Sequence, residues 1–369
     1  MKIWNQIKPY LAVLFMQFGI AGLAISAKFA TNDGMSHYSF VVYRQAVATI
    51  VLSPFALVCE RKVRPKMSLS VIIKILGLGF LESVIDQNLY YAGMQYTPAT
   101  FVSALSNTVP ALTFLLAWIF RLEKVNLKKV GSLAKVGGTM VTIGGATIMT
   151  LIKGPGIKWP WTAPNLSHTP NISVHQDPIK GALMITSGCM GWAGFVILQA
   201  ITLKSYPAEL SVTAMMSFAG VVEGAAVAFA MERANTSIWS LQLDSKLICY
   251  IYSGVVCSGI GFFLQGKVMK EKGPVFVTAF NPLSMIIVAF LGSLVLAEQL
   301  TLGRITGAMV IVIGLYIVIW GKSKDDDTCN TTNEQILPVD SLDSKKKTAS
   351  AEEASVSVGN ALSIEKEVP

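Results

Sequence analysis

Ten apolar stretches, each about the ~20 residues that a helix needs to cross a bilayer, recur along this 369-residue chain. They lie at approximately 9–30, 38–59, 71–93, 98–120, 130–152, 179–201, 209–231, 246–268, 274–297 and 303–321. In hydrocarbon each backbone N–H and C=O must be satisfied inside the protein, and runs of this length select the helix. The composition agrees: 52% of residues are hydrophobic and only 14% are charged, against roughly a quarter charged in soluble domains. The spacing therefore predicts an all-α integral membrane protein with ten transmembrane helices.

Two polar regions interrupt the pattern. Residues 153–178 are rich in Pro, Asn, Ser and His. Residues 322–369 carry Asp325-Asp326-Asp327 and Lys345-Lys346-Lys347 without apolar periodicity, and read as a disordered tail. The first apolar run is longer than the core of a signal peptide and reads as a retained span. Positive charge is uneven. Arg61, Lys62, Arg64 and Lys66 crowd one loop, Arg121, Lys124, Lys128 and Lys129 a second, and Lys267, Lys270 and Lys272 a third, whereas residues 31–37 and 94–97 hold no Lys or Arg. The positive-inside rule then places the N terminus, and after ten spans the tail, in the cytoplasm. Glycosylation sequons at Asn165, Asn171 and Asn235 fall in loops placed outside, where Trp159 and Trp161 are expected at the interface.

Several classes of function find no support. The formal charge of +8 is loop bias, without the basic patch and exposed aromatics of a nucleic-acid binder. Cys59, Cys189, Cys249, Cys257 and Cys329 form no CxxC pair, and His37, His168 and His175 sit in polar connections, so neither a disulfide framework nor a metal site is predicted. No Walker motif or nucleophile–base arrangement is visible, so no cofactor and no enzyme activity are expected.

The chain repeats itself. Gly19-Ile20-Ala21-Gly22 matches Gly191-Trp192-Ala193-Gly194, and Glu60-Arg61 matches Glu232-Arg233, both 172 residues later. Phe101-Val102-Ser103-Ala104 matches Phe276-Val277-Thr278-Ala279, and Glu123 and Leu127 match Glu298 and Leu302, at an offset of 175. A five-helix unit is used twice, as residues 1–152 and 179–321. Five is odd, so the second copy enters the membrane from the opposite side. Inverted repeats are a transporter signature, with substrate bound between the halves near the midplane.

The stretches "QFGIAGLAISAKFA", "LYYAGMQYTPATF", "FRLEKV", "GPVFVTAFNPLS" and "WAGFVILQAITLKSYPAELS" resemble the plant EamA-type transporters of the drug/metabolite transporter superfamily. The group is the nodulin-like, Walls-are-thin-related one, also called the UMAMIT family. The resemblance covers residues 1 to about 324. It implies a ten-helix fold and bidirectional, facilitated movement of amino acids, with the plasma membrane as the expected location. "FNPLS" and "ITLKSYP" look closest to members that move amino acids.

Charged side chains near a span centre cost ~2.5–3.5 kcal/mol and should face the protein interior or a wet cavity. Helical spacing puts Glu82, Asp86 and Tyr90 along one face. Asp86 and Arg44 each lie ~6 Å outside the midpoint of adjacent spans, which predicts a structural Arg44–Asp86 pair. Glu82 then has no evident cation. It could carry a proton, bind the ammonium of a zwitterionic substrate, or rest protonated, and Glu223 raises the same question. The second repeat has Cys257 and Gly261 where the first has Glu82 and Asp86, and Met216 where the first has Arg44. The acids are therefore not needed to build the unit. Asn107 with Pro110, and Asn281 with Pro282, sit near the middle of matching spans. Each proline breaks a backbone bond and frees a carbonyl, at Ser106 and Thr278. The candidate substrate site is thus Glu82, Asp86, Ser106, Asn107, Thr278 and Asn281. The Gly19/Gly22, Gly137-Gly138 and Gly144-Gly145 pairs read as helix-packing surfaces.

These observations predict a secondary carrier for amino acids or similar small zwitterions, working by alternating access in the lipid bilayer. The alternative is a carrier of organic anions such as auxin on the plasma or vacuolar membrane, for which Arg44 would be free to meet a carboxylate. A different class, a receptor or scaffold that transports nothing, has no positive signal.

Overall fold

The computed structural model of the protein describes residues 2–32, 35–62, 64–96, 102, 105–123, 130–152, 155–157, 177–232, 239, 245–295 and 300–335. Among these, ten helical rods follow one another. They are α1 (Lys2–Asn32), α2 (His37–Cys59), α3 (residues 69–96), α4 (Val109–Ile119), α5 (Val130–Leu151), α6 (Pro178–Ser205), α7 (Glu209–Met231), α8 (residues 245–272), α9 (residues 274–295) and α10 (Leu302–Gln335). Seven hold stretches long and apolar enough to cross a membrane on those grounds alone. Of the other three, α3 is loaded with polar residues, α5 is rich in Gly and Thr, and α4 is short. The small antiparallel ladder of β1 (Gly156–Ile157) and β2 (Leu300–Thr301) pairs Gly156 with Thr301.

Local chemistry sets several ends. Ser68 accepts the Val71 N–H at 3.4 Å to start α3, and Asp177 precedes Pro178 at the first turn of α6. Gly273, at φ 87°, makes the reversal between α8 and α9 that a side chain would strain. The tenth helix continues to Gln335, past the expected end at Gly321. Extending an existing helix costs far less than nucleating one, so the polar residues after Gly321 can follow the span. The sequon residues Asn165, Asn171 and Asn235, together with Trp159 and Trp161, lie outside the described residues.

Two spans are not simple α-helices. Phe80–Gln87 within α3 and Ser253–Gly261 within α8 are π-helical, with i→i+5 bonds. They are repeat counterparts. The widened turn in α3 is braced by the Asn88 side chain, which donates to the Ser83 carbonyl at 2.8 Å.

Glycines bring backbones together across the two halves. Gly19 and Gly22 of α1 face Val256 and Tyr252 of α8, while Gly188 and Gly191 of α6 each approach the Asp86 backbone of α3. Each π segment is thus met by small residues of the other half's first helix. α5 packs along α10: a Cβ on Gly138 would stand 2.8 Å from the Gly314 carbonyl oxygen, and one on Gly145 2.7 Å from the Ile311 nitrogen. Gly137 and Gly144, expected to pack as well, face open space. Adjacent helix positions do not share a face, and only one member of each pair can reach α10. We therefore expect Gly145→Val to destabilise the protein by about 1–3 kcal/mol through overpacking, and Gly144→Val to be near neutral. Thermal unfolding midpoints in detergent check this.

α2 and α7, each other's repeat counterparts, cross antiparallel at the centre, with Gly220 against Gln45 and Gly224 against Val41 and Val42. The largest apolar core joins both halves, with Val13, Phe195, Val212, Phe262, Phe276 and Ile311 in one cluster. Large apolar side chains such as Ile50, Val58 and Phe229 remain exposed on the outside, as a lipid-facing surface requires.

Candidate functional site

Arg44 of α2 is buried among the helices, and its charge is met by Glu82, not Asp86. Its Nη2 lies 3.2 Å from Glu82 Oε1, and its Nε donates to Ser258 Oγ at 2.5 Å. The Glu82 carboxylate also accepts from the Gln45 side-chain amide and from the Ser83 hydroxyl, the latter at 2.8 Å. A buried carboxylate with a guanidinium and two neutral donors is fully served. The predicted Arg44–Asp86 pair is therefore corrected: no such ion pair within 4 Å exists among the described residues. Depth matching resolves no better than one turn, 5.4 Å, and Glu82 and Asp86 are one turn apart. The π segment also alters which way each acid points: Glu82 meets Arg44 and Gln45 of α2, while Asp86 lines a cavity.

That cavity, about 740 Å³, lies between the two halves. Asp86, Gln87 and Tyr90 of α3 line it with Gln17 of α1, Trp192 and Cys189 of α6, and Gln265 of α8. Arg44 reaches its wall, and so does Arg304 near the start of α10. Asp86 is half-buried, and among the described residues its one side-chain hydrogen bond is from the neighbouring Gln87 Nε2, at 3.4 Å.

Both interrupted spans meet the cavity. In the fourth, the chain turns at Asn107 and Thr108 before α4 restarts at Val109; in the ninth it turns at Phe280 before helix resumes at Asn281. Ser106, Asn107, Pro110, Asn281 and Pro282 all line the cavity. Two helix N-termini, with their positive dipole ends, thus begin at its wall. Asn107 is 5% exposed, and its Nδ2 has no hydrogen-bond partner among the described residues; the same is true of Gln17 Oε1, with Gln17 1% exposed. A buried donor and a buried acceptor thus belong to residues that line the same cavity.

Two predicted residues stand elsewhere. Glu82 is 2% exposed and enclosed in its ion pair. Thr278 is buried, its hydroxyl donating to the Pro274 and Val275 carbonyls of its own helix at 3.4 and 3.3 Å. Sequence reasoning missed Gln17, Gln265, Trp192 and Arg304. A glutamine deep in an apolar run is a signal of the same kind as Asp86, and Gln17 and Gln265 carry it. A second groove of about 560 Å³, bounded by Ile286, Phe290, Ile305 and Met309, adjoins the cavity and shares Met149, Ala289 and Arg304 with it.

The chain matches the EamA-like transporter family twice, over residues 7–150 and 179–320. A WAT1-related protein of Arabidopsis thaliana is 57% identical over 342 residues, covering 92% of this chain and 91% of its own. A second, from the same plant, is 54% identical over 319 residues, covering 86% and 84%. A solved crystal structure shares the fold at 14% identity, with a TM-score of 0.61 over 84% of this chain and 94% of its own. The double match, the ten rods in two inverted halves and the cavity between them agree: this chain belongs to the EamA-like transporter family and is a multi-pass membrane transporter of its WAT1-related group.

Proposed function

We propose that the protein is a facilitative, bidirectional carrier of amino acids or similar small zwitterions, working by alternating access between residues 1–152 and 179–321. The observation that carries this is Asp86. Its carboxylate stands on the cavity wall without an ion-pair partner among the described residues, while Arg44 is occupied by Glu82 and Ser258. A substrate ammonium can meet Asp86 and Gln17 Oε1. A substrate carboxylate can meet Asn107 Nδ2 and the helix N-termini at Val109 and Asn281. We place the protein in the plasma membrane with both termini cytoplasmic, and Asn165, Asn171 and Asn235 on the outer face. The Glu82 carboxylate, enclosed by three donors, is built to hold a structure together and not to shuttle protons.

Carriage of organic anions such as auxin is the second possibility, favoured by Arg304 and by the reach of Arg44 to the cavity wall. Asp86 would repel such a substrate. Efflux of radiolabelled solutes from oocytes separates the two: amino acids should leave well above control and organic anions should not. No efflux across a broad amino-acid panel would sink the proposal.

A further inference from the structure

At one end of the molecule Glu60, the residue after α2, accepts the backbone N–H groups of Leu210 and Ser211 at 2.9 and 2.7 Å, and the Ser211 hydroxyl at 2.6 Å. It is 8% exposed. Arg64 Nε adds a bond to the same hydroxyl at 2.7 Å. α7 begins after Ala208, whose side chain cannot cap it. A carboxylate of the first half thus supplies the cap that a helix of the second half lacks. Further contacts across the halves close this end: Lys74 Nζ donates to Ser205 Oγ at 3.0 Å, and the Tyr10 and Phe276 rings meet edge-on at 5.3 Å.

The 172-residue offset maps each part of this arrangement to the opposite end. Glu60 becomes Glu232, the residue after α7. Ala208 becomes Ser36, and Leu210 and Ser211 become Tyr38 and Ser39. There the parts stand apart. The start of α2 has no side-chain cap, and Ser36 Oγ and His37 Nε2 are buried without a hydrogen-bond partner among the described residues. The Ser39 hydroxyl turns to the Ser36 carbonyl at 3.1 Å and lies 3.4 Å from the Tyr250 hydroxyl. The Glu232 charge acts on His37 and Tyr38, yet among the described residues no hydrogen bond joins it to the start of α2. The cavity extends toward this end, through Met149, Thr150, Thr301 and Arg304.

We propose that Glu60 and Glu232 are alternately engaged latches of the transport cycle. Glu60, capping α7, holds one end shut in the state seen here. Glu232, capping α2 through the Tyr38 and Ser39 N–H groups, holds the other end shut in the opposite state, with Glu60 released. The proposal rests on alternating access between the two repeats. It assigns to each half a carboxylate that senses whether the other half's helix has come within reach, and the α2–α7 crossing at Gly220 and Gly224 lies between the two latches.

The test uses the full chain in sealed vesicles, with Cys59, Cys249 and Cys329 replaced by serine. Cys189 and Cys257, which line the cavity, then report access to a charged, membrane-impermeant methanethiosulfonate added from either side. With both latches intact, labelling should be faster from the Glu232 side. Glu60→Ala should raise labelling from the Glu60 side by about tenfold, the ratio set by losing roughly one charge-assisted hydrogen bond, and lower it from the other side. Glu232→Ala should shift labelling the opposite way. If Glu60→Ala does not fold, Glu60→Gln, which keeps an acceptor oxygen, should show the same direction with a smaller change. Shifts of the same sign in both variants, or no shift in either, overturn the proposal. Labelling is read without substrate, so loss of amino-acid flux with opposed labelling shifts would count against the substrate assignment and leave the latches standing.

Discussion

Arg44→Met should cost about 3–5 kcal/mol of stability, because it strands the buried Glu82 carboxylate without its cation. The pair is buried, with Glu82 2% and Arg44 5% exposed, and Gln45, Ser83 and Ser258 complete the set. Arg44→Met combined with Glu82→Gln should recover most of the loss, since a neutral amide can still accept from Gln45 and Ser83. Unfolding midpoints of the two single variants and the double variant in detergent provide the cycle. If the losses simply add, the ion pair is not the unit of stability proposed here.

The second large effect belongs to transport. Asp86→Asn should lower amino-acid flux about 10- to 100-fold, the equivalent of losing one charge-assisted hydrogen bond to the substrate ammonium. It should leave the unfolding midpoint close to that of the parent, because Asp86 has no ion-pair partner among the described residues to strand. Thr278→Val, also among the residues singled out from the sequence, should transport nearly as well as the parent, because that hydroxyl is satisfied within its own helix and does not reach the cavity. Initial rates over a range of substrate concentrations, normalised to protein at the membrane, would show the contrast.

These residues also mark how far the sequence could be read. Ten apolar runs and two sets of matching peptides make the helices and the inverted repeat visible, because hydrophobic length and self-similarity are properties of the chain alone. Proline near asparagine in matching spans points to the breaks just before Val109 and Asn281, and Asn107 and Asn281 both line the cavity. The partner of Arg44 was not visible in the same way. Choosing between Glu82 and Asp86 requires knowing the rotation of α3, and a π-helical turn over Phe80–Gln87 changes that rotation without any residue that announces it. The Glu60 cap on α7 joins residues about 150 positions apart, and only the repeat offset makes its Glu232 counterpart recognisable. Gly144 departs from the expected packing for a plainer reason: an apolar span shows which residues are small, but not which of two adjacent small residues faces protein.

The most direct test of the account is flux into proteoliposomes containing only the purified protein. Each labelled amino acid is paired with its des-amino carboxylate, with and without an imposed pH gradient, for the parent and for Asp86→Asn. The account predicts that amino acids equilibrate down their gradient, that a pH gradient does not drive accumulation beyond it, that the des-amino analogues move far more slowly, and that Asp86→Asn erases the difference between the two. Equal or faster movement of the des-amino carboxylates, unchanged by Asp86→Asn, would contradict it.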